Sequence, residues 1–383
     1  MIDKLITKIQ YIMKSSRKSR RGLSFERLLY NLSKVYKNGI QFRNYLYRAG
    51  ILKSKKLPCF VISIGNISTG GTGKTPMTMY LSKYLTTLGY KVAIVTRGYK
   101  GKFEHKNGVV SNGKKILCGP EEAGDEPYMM AQALKLPVIA GKKRFKSGMT
   151  AIEKFSPDII VLDDAFQHIA LKRNLNLLLL DTKKPIGNGY LLPRGSLREP
   201  AASIQRSDAV IFTRSDQNPD TAFDSIDIEL ANIPMFKTVH APLISKIATK
   251  KKNVQPTLNQ TDMVNHLKGK RAFLFSGIAN NPDFKSSCEK IGLIVCHQIE
   301  FPDHYWYKQH DINKLTKAFK QINADYMVTT QKDYIKIADN FPFDHPLVVL
   351  DVQIKFDHNN KTAFGKFIKE KTQKHFEKTK VPE

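Results

Sequence analysis

A chain of 383 residues is long enough for about two domains with ample core, and 41% hydrophobic with 25% charged residues excludes a disordered or fibrous chain. The net charge of +28 calls for an acidic partner: nucleic acid, an anionic lipid surface or a phosphorylated substrate. The four cysteines, Cys59, Cys118, Cys288 and Cys296, form no Cys-x-x-Cys pair, so neither a zinc site nor a redox dithiol is indicated and a reducing cytosol is the expected setting.

The charge is densest at the start, with 15 Lys/Arg against 2 acids (Asp3, Glu26) in residues 1–58. No apolar run there reaches the ~18 residues of a membrane span, and no continuous apolar core marks a signal peptide. The segment is instead amphipathic. Ile2, Leu5, Ile6, Ile9, Ile12 and Met13 fall at helical spacing among Lys4, Lys8 and Lys14; beyond a basic hinge, Leu28, Leu29, Leu32, Val35 and Tyr36 repeat the pattern beside Arg27, Lys34 and Lys37. Such helices lie in membrane interfaces, and a pair of surface helices packed on the core reads equally well for the second of them.

Val61, Ile62, Ser63 and Ile64 predict a buried strand, followed by Gly65-Asn66-Ile67-Ser68-Thr69-Gly70-Gly71-Thr72-Gly73-Lys74-Thr75 and a helix with Pro76 in its first turn. Strand, glycine turn, Gly-Lys-Thr and helix make a phosphate-cradling P-loop. Residues 68–75 would carry the phosphates: glycines leave backbone N–H groups open to phosphate oxygens, and the helix N-terminus adds partial positive charge. Lys74 would reach the β- and γ-phosphates and Thr75 would hold Mg²⁺. Ser68 stands where the common pattern has glycine. An incidental Gly-Lys-Thr turn is the alternative, disfavoured by the strand before and the helix after.

Further strands are predicted at 91–96, 138–140, 158–162, 177–180 and 209–213, alternating with helices at about 76–88, 127–136 and 143–155; residues 99–120 read as loop or hairpin. This is a mostly parallel α/β sheet with helices on both faces and its chemistry at the carboxyl ends of strands. A β-rich segment at 235–247 leads to a second, smaller α/β unit with strands at 271–276 and 326–330 and a helix near 311–322; the strand 347–352 would return beside 235–247 as a ribbon, and 365–380 is a basic helix or tail. The expected division is 1–22 (basic extension), 23–234 (P-loop domain), 235–262 (linker strand), 263–345 (second domain) and 346–383 (returning strand and tail).

Asp163-Asp164 closes a buried strand about ninety residues after Lys74, the Walker B placement for a carboxylate near Mg²⁺; alone it reads as a turn. Asp125 and Glu126 before Pro127 read locally as helix-capping acids. His304 reads as a loop histidine. Arg194, Arg198 and Glu199 form either a surface turn or a phosphate-binding arginine loop.

Taken together and in order, Gly65 to Pro76, Arg97-Gly98-Tyr99, Gly124-Asp125-Glu126-Pro127, Asp163-Asp164-Ala165-Phe166-Gln167-His168, Leu191 to Pro200, Ser276 to Asn280, Phe301 to His304 and Thr329 to Asp333 resemble the tetraacyldisaccharide 4′-kinases, the lipid A 4′-kinases of Gram-negative bacteria, over about residues 23–355. The resemblance implies transfer of the ATP γ-phosphate to the 4′-hydroxyl of tetraacyldisaccharide 1-phosphate, giving lipid IVA, by a peripheral enzyme at the cytoplasmic face of the inner membrane. It implies an acid–base pair, Asp125 and His304, either of which could take the proton, beside Lys74; Mg²⁺ near Thr75, Asp163, Asp164 and Glu126; and substrate or phosphate contacts from Asn66, Arg97, Gln167, His168, Arg198 and Glu199. A sugar hydroxyl is a poor nucleophile, so a base fits the chemistry. Ala165, Arg194 and Gln331 depart from the family's usual Gly, small residue and Glu. The expected partner is the lipid, not nucleic acid, and the expected state a monomer. The rival classes are a nucleic-acid-dependent P-loop ATPase and a membrane-bound nucleotide switch without enzymatic activity.

Overall fold

The computed structural model describes residues 8–9, 11–13, 15, 25–216, 232–249, 252–254, 259–338, 341 and 345–380. Most of the first predicted amphipathic helix and of the basic hinge lies outside the described residues. The second is α1 (Phe25–Arg48). The P-loop half then runs β1 (Phe60–Gly65), α2 (Lys74–Thr87), β2 (Val92–Thr96), α3 (Phe103–Lys106), β3 (Gly108–Asn112), α4 (Pro120–Ala123), α5 (Asp125–Ala133), β4 (Pro137–Ala140), α6 (Arg144–Phe155), β5 (Ile159–Leu162), β6 (Leu175–Asp181) and β7 (Ala209–Thr213). The second half contains β8 (Met235–Thr249), β9 (Lys252–Val254), α7 (Gln260–Leu267), β10 (Arg271–Ser276), α8 (Asn281–Lys290), β11 (Ile294–Glu300), α9 (Gln309–Gln321), β12 (Tyr326–Thr330), α10 (Gln331–Ile337), β13 (Leu347–Phe356) and α11 (His358–Lys380).

One sheet of 13 strands among the described residues runs in the order β11-β10-β12-β13-β8-β7-β6-β1-β5-β2-β4-β3, with β9 beside β8. The inner strands are continuous apolar runs because both their faces are covered; every residue of β1, β2, β5 and β7 is buried. Between Thr96 and Pro120 the chain forms α3 and β3, and β3 closes the edge antiparallel to β4, leaving no long unpaired edge in that half. The predicted ribbon is present. β8 pairs in parallel with β7 through Met235–Lys237, then runs antiparallel to β13 from Thr238 to Ala248, so one long strand joins the halves.

On one face of the P-loop half, Ile62, Ile64, Val161 and Leu177 of the sheet pack with Met77 and Leu81 of α2 and with Phe364 and Ile368 of α11. The basic C-terminal segment is therefore a helix docked on the P-loop half. In the second half Phe273, Phe275, Met327 and Val349 pack with Ile312, Leu315 and Phe319 of α9. The P-loop follows β1, Asp163-Asp164 follows β5, His304 lies on the loop after β11, and Asp125 opens α5 between β3 and β4.

Candidate active site

The P-loop begins from a packing constraint. A Cβ on Gly65 would lie 2.6 Å from the Phe166 Cβ, closer than real Cβ contacts allow, so only glycine lets β1 pass under the 163–168 turn. Asn66 is buried; its Nδ2 donates to Thr72 Oγ1 (2.9 Å), and its carbonyl accepts from Gln167 Nε2 (2.7 Å). Thus Asn66 and Gln167, predicted as substrate or phosphate contacts, brace the loop from within. Gly73 caps α2 with φ +83°, and a Cβ there would collide with the His240 ring. The 190s loop supports the other side: Thr69 N donates to Ser196 O (2.7 Å) and Arg198 N to Ile67 O (2.7 Å). Ser68, in place of the common glycine, bridges to Leu197 as a strand residue does, a conformation that asks for no glycine.

Below the loop, β5 delivers the paired acids. Asp164, at φ +46°, accepts two 3.0 Å bonds from Arg198 Nη1 and lies 3.8 Å from Lys74 Nζ. Burial works to raise its pKa, but Lys74 and Arg198 hold the carboxylate below its ordinary value. Asp163 is fully inside, accepting from Thr78 Oγ1 at 2.9 Å. Burial, with the charges of Glu126 and Asp164, pushes it up, against the pull of Thr78 and Lys74. Arg144, buried at the start of α6, donates to the Gly141 carbonyl (2.7 Å) and the Asp163 carbonyl (3.2 Å). Thr75 sits in the first turn of α2. Among the described residues no three or more His, Cys, Asp or Glu side chains converge as a self-sufficient metal cage.

The dyad spans the two halves. Gly124, with φ +87°, turns the chain into α5 so that Asp125 opens it as a buried residue. His304 lies on the loop after β11, at φ +60°, its backbone N–H donating to Gly277 O (3.1 Å). Its Nδ1 lies 2.8 Å from Asp125 Oδ2 although the two are 179 residues apart. The other Asp125 oxygen accepts from Glu126 N at 3.0 Å. Lys336 approaches Asp125 Oδ2 at 3.4 Å, and Lys332 lies 3.1 Å from both Glu126 Oε1 and His304 Nε2. Burial opposes ionisation of Asp125, but the bond from His304 and the Lys332 and Lys336 charges hold its pKa far below the carboxylate range. Burial likewise opposes the Lys332 charge, yet Glu126, Asp125 and Asp303 hold that lysine above its ordinary range. Tyr99, Lys100, Gly124 and Trp306 complete the crevice around Asp125 and His304, with the Tyr99 ring edge-on to the imidazole (centroids 5.1 Å apart).

Other predicted residues stand further out. Arg97 pairs with Glu104 (2.7 Å). Glu199 is buried between Arg43 (3.3 Å) and Arg206, holding α1 to the 190s loop. Burial and the charges of Arg144, Arg173 and Arg43 lower the His168 pKa to about 4. Of the departures from the family pattern, Ala165 is fully buried; Arg194 donates to Ile12 O (2.8 Å) and Glu26 Oε1 (2.6 Å), clamping the N-terminal segment; Gln331 accepts from Ser245 Oγ (2.8 Å), tying α10 to β8. The sequence reading left Thr78, Arg144, Lys332 and Lys336 without roles. Lys332 and Lys336 carry one faint signal, their i,i+4 spacing after a strand, which puts both on one helix face; Arg144 and Thr78 carry none.

A sequence model described as LpxK, tetraacyldisaccharide-1-P 4′-kinase, matches residues 25–373. A tetraacyldisaccharide 4′-kinase of Desulfatibacillum aliphaticivorans is 36% identical over 373 residues, 97% of this chain and 99% of the relative. One of Syntrophus aciditrophicus is 37% identical over 344 residues, covering 86% and 89%. The crystal structure of an "apo" form of LpxK from Aquifex aeolicus in complex with ATP superposes with a TM-score of 0.71 at 34% identity, covering 91% of this chain and 100% of that one. With a P-loop, a paired-acid turn and a cross-lobe Asp–His pair already in place, these matches identify the chain as a member of the tetraacyldisaccharide 4′-kinase family, an ATP-dependent kinase of lipid A synthesis.

Proposed function

We propose that His304 Nε2 takes the proton of the 4′-hydroxyl of tetraacyldisaccharide 1-phosphate while Asp125 holds the imidazole, and that residues 68–75 with Lys74 hold the ATP phosphates. The Asp125–His304 contact at 2.8 Å carries this reading. A carboxylate accepts, so Nδ1 bears the hydrogen and Nε2, beside the Lys332 ammonium, presents its lone pair. Asp125 is the poorer base, because both oxygens are engaged and its pKa is depressed. The γ-phosphorus–oxygen bond to ADP breaks as the bond to the 4′-oxygen forms, and Lys74 stabilises the phosphoryl oxygens where charge develops. The two dyad residues belong to the proposed domains 23–234 and 263–345, joined by the ribbon of 235–262 and the returning strand, so relative movement of the halves would regulate the site.

The donor set suits Mg²⁺. Asp163 is pushed up by burial and by Glu126 and Asp164, a concentration of negative charge that a divalent cation relieves, and Mg²⁺ characteristically takes only one or two carboxylates beside substrate phosphates. Thr75 with one or two of Asp163, Asp164 and Glu126 would hold it, and its chemistry there would be neutralisation of phosphoryl charge.

Peripheral binding at the cytoplasmic face of the inner membrane is supported by α1. Among the described residues no helix is long and apolar enough to cross a membrane. Leu29, Ser33 and Ile40 of α1 face the body, whereas Leu28, Leu32, Val35, Phe42 and Tyr45 are exposed, so one face packs on the body and the apolar side chains of the other support docking on lipid. Tyr36 and Arg43 tie α1 to Arg198 and Glu199, which would bring a membrane-held lipid headgroup near the phosphate loop.

The test is transfer to the lipid by His304→Ala and Asp125→Asn variants. Both should lose about 10²–10⁴-fold in kcat with ATP affinity retained; a full-rate His304→Ala enzyme would refute the base assignment.

A further inference from the structure

The motif Thr329-Thr330-Gln331-Lys332-Asp333 has no part in the proton transfer just described, yet it delivers two ammonium groups to the dyad. Thr330 caps α10: its Oγ1 accepts from Asp333 N (3.1 Å) and donates to Asp333 Oδ2 (2.7 Å). Asp333 Oδ2 also accepts from Gly277 N (2.9 Å), and Gly277 in turn holds the His304 backbone. The first turns of α10 are thereby fixed relative to His304, and Lys332 and Lys336 point the same way.

The two lysines differ in freedom. Lys336 has a side chain with no exposed surface, 3.4 Å from both Asp125 Oδ2 and Asp333 Oδ1; it is a fully enclosed counter-ion between two buried carboxylates. Lys332 lies on the open side. Its Nζ is 3.1 Å from Glu126 Oε1, 3.1 Å from His304 Nε2, 3.9 Å from Asp303 Oδ1 and 4.0 Å from Asp125 Oδ2. Structural ion pairing explains Lys336 fully. It explains Lys332 incompletely, because one of its closest partners is the lone-pair nitrogen of a base.

An attacking hydroxyl must come within about 2.6–3.2 Å of Nε2. An ammonium 3.1 Å from that nitrogen therefore occupies the lone pair that the attacking hydroxyl needs. The Nε2 lone pair serves one donor at a time, so a hydroxyl that takes it sends Nζ to another acceptor. The strongest acceptors arriving with the reaction are the oxygens of the γ-phosphoryl group, which offer Lys332 the same charge-assisted bond as Glu126 does.

We infer that Lys332 is a further catalytic residue of this kinase: it yields His304 Nε2 to the 4′-hydroxyl and binds the transferring γ-phosphoryl group, complementing Lys74 from the other half of the molecule. The proton passes from the 4′-hydroxyl to Nε2 and later to solvent. The phosphorus–oxygen bond to ADP breaks as that to the 4′-oxygen forms, and Lys332 stays protonated throughout, matching the charge that spreads over the phosphoryl oxygens.

The inference rests on His304 as base, and the experiment separates the two. The full chain and the variants Lys332→Met, Lys332→Arg, His304→Ala and His304→Ala/Lys332→Met are assayed with ATP, Mg²⁺ and tetraacyldisaccharide 1-phosphate in detergent micelles, counting product by mass spectrometry, with thermal melting as the folding check. Lys332→Met should lower kcat by about 10²–10³-fold with the lipid KM within about threefold. Lys332→Arg should recover at least about tenfold, and the double variant should lose the product of the two single losses. A Lys332→Met enzyme with near-parental kcat overturns the inference. So does a double variant no slower than His304→Ala, which makes Lys332 a positioning residue acting through the imidazole. A full-rate His304→Ala enzyme overturns the base assignment instead, leaving the Lys332 loss to be read alone. If Lys332→Met does not fold, Lys332→Gln enters the same cycle with the same criteria.

Discussion

At Asp125 both carboxylate oxygens are engaged, one by the Glu126 N–H and the other by His304 and Lys336. A residue so held orients and stabilises an imidazolium rather than collecting protons. If the pair works as a unit, the Asp125→Asn/His304→Ala double variant should be little slower than the worse single one; single-turnover rates check this, and fully multiplicative losses would assign separate roles. Two other histidines make a pH prediction. Burial, aided by neighbouring arginines, lowers His168 to about 4 and His240 to about 3, whereas both titrate near 6.5 when unfolded. Between those values the unfolded chain binds protons that the fold refuses. Their stabilising contribution is thus intact above about pH 6.5 and declines as pH falls, each histidine by less than ~1.4 kcal/mol per pH unit because both are only partly buried. The urea midpoint should drop between pH 7 and 5, and a His168→Gln/His240→Gln protein should drop less. The sequence made Lys74 and Asp163-Asp164 legible because local strand and turn chemistry marks them. It left Asp125 and His304 ambiguous without the family resemblance, since a capping acid and a loop histidine 179 residues apart become a dyad only through the long-range fold. Arg144 and Thr78 were illegible, because their partners are a carbonyl and a carboxylate supplied from another strand.

Among the elements, β1 and the P-loop were the most legible, since a short apolar run, glycines and Gly73-Lys74-Thr75 each have a local physical cause. Gly65 shows what local reasoning omits: it is glycine because the Phe166 backbone and Cβ lie against it, not because a phosphate does. Gly65→Ala should cost about 1–3 kcal/mol by overpacking and raise the KM for ATP by displacing the loop; unaltered thermal stability would contradict this contact. The strand β3 was not singled out within the loop-or-hairpin reading of 99–120, because five residues at an edge give little periodicity to read. The ribbon was legible as two β-rich segments, whereas the register that lets β8 serve both halves depends on β7 and β13 together. Arg194 acts on an element too. Its bonds to Ile12 and Glu26 fasten the N-terminal segment to the 190s loop, so Arg194→Met should lose on the order of 2 kcal/mol and speed amide exchange in 25–48, with ATP affinity unchanged. Unchanged exchange there would show that the clamp holds nothing.

For the whole molecule, the densest positive charge, 15 Lys/Arg in residues 1–58, and the exposed apolar face of α1 belong to the same segment of the chain. Anionic lipid attracts each nearby Lys or Arg by about 1 kcal/mol, and Leu28, Leu32, Val35 and Phe42 would add apolar burial. Replacing these four with serine should weaken binding to anionic liposomes in high salt, where the charge component is screened, and slow turnover on bilayer substrate more than on micellar substrate; equal liposome binding by the variant would exclude α1 as the docking face. The assignment of chemistry is tested most directly by the product. The full chain is incubated with ATP, Mg²⁺ and tetraacyldisaccharide 1-phosphate beside the His304→Ala variant, and the lipid is analysed by mass spectrometry and phosphorus NMR. One phosphate added at the 4′ position by the parent, and about 10²-fold or more less by the variant, is the predicted result; an unphosphorylated lipid from the parent, or equal product from both, would contradict it.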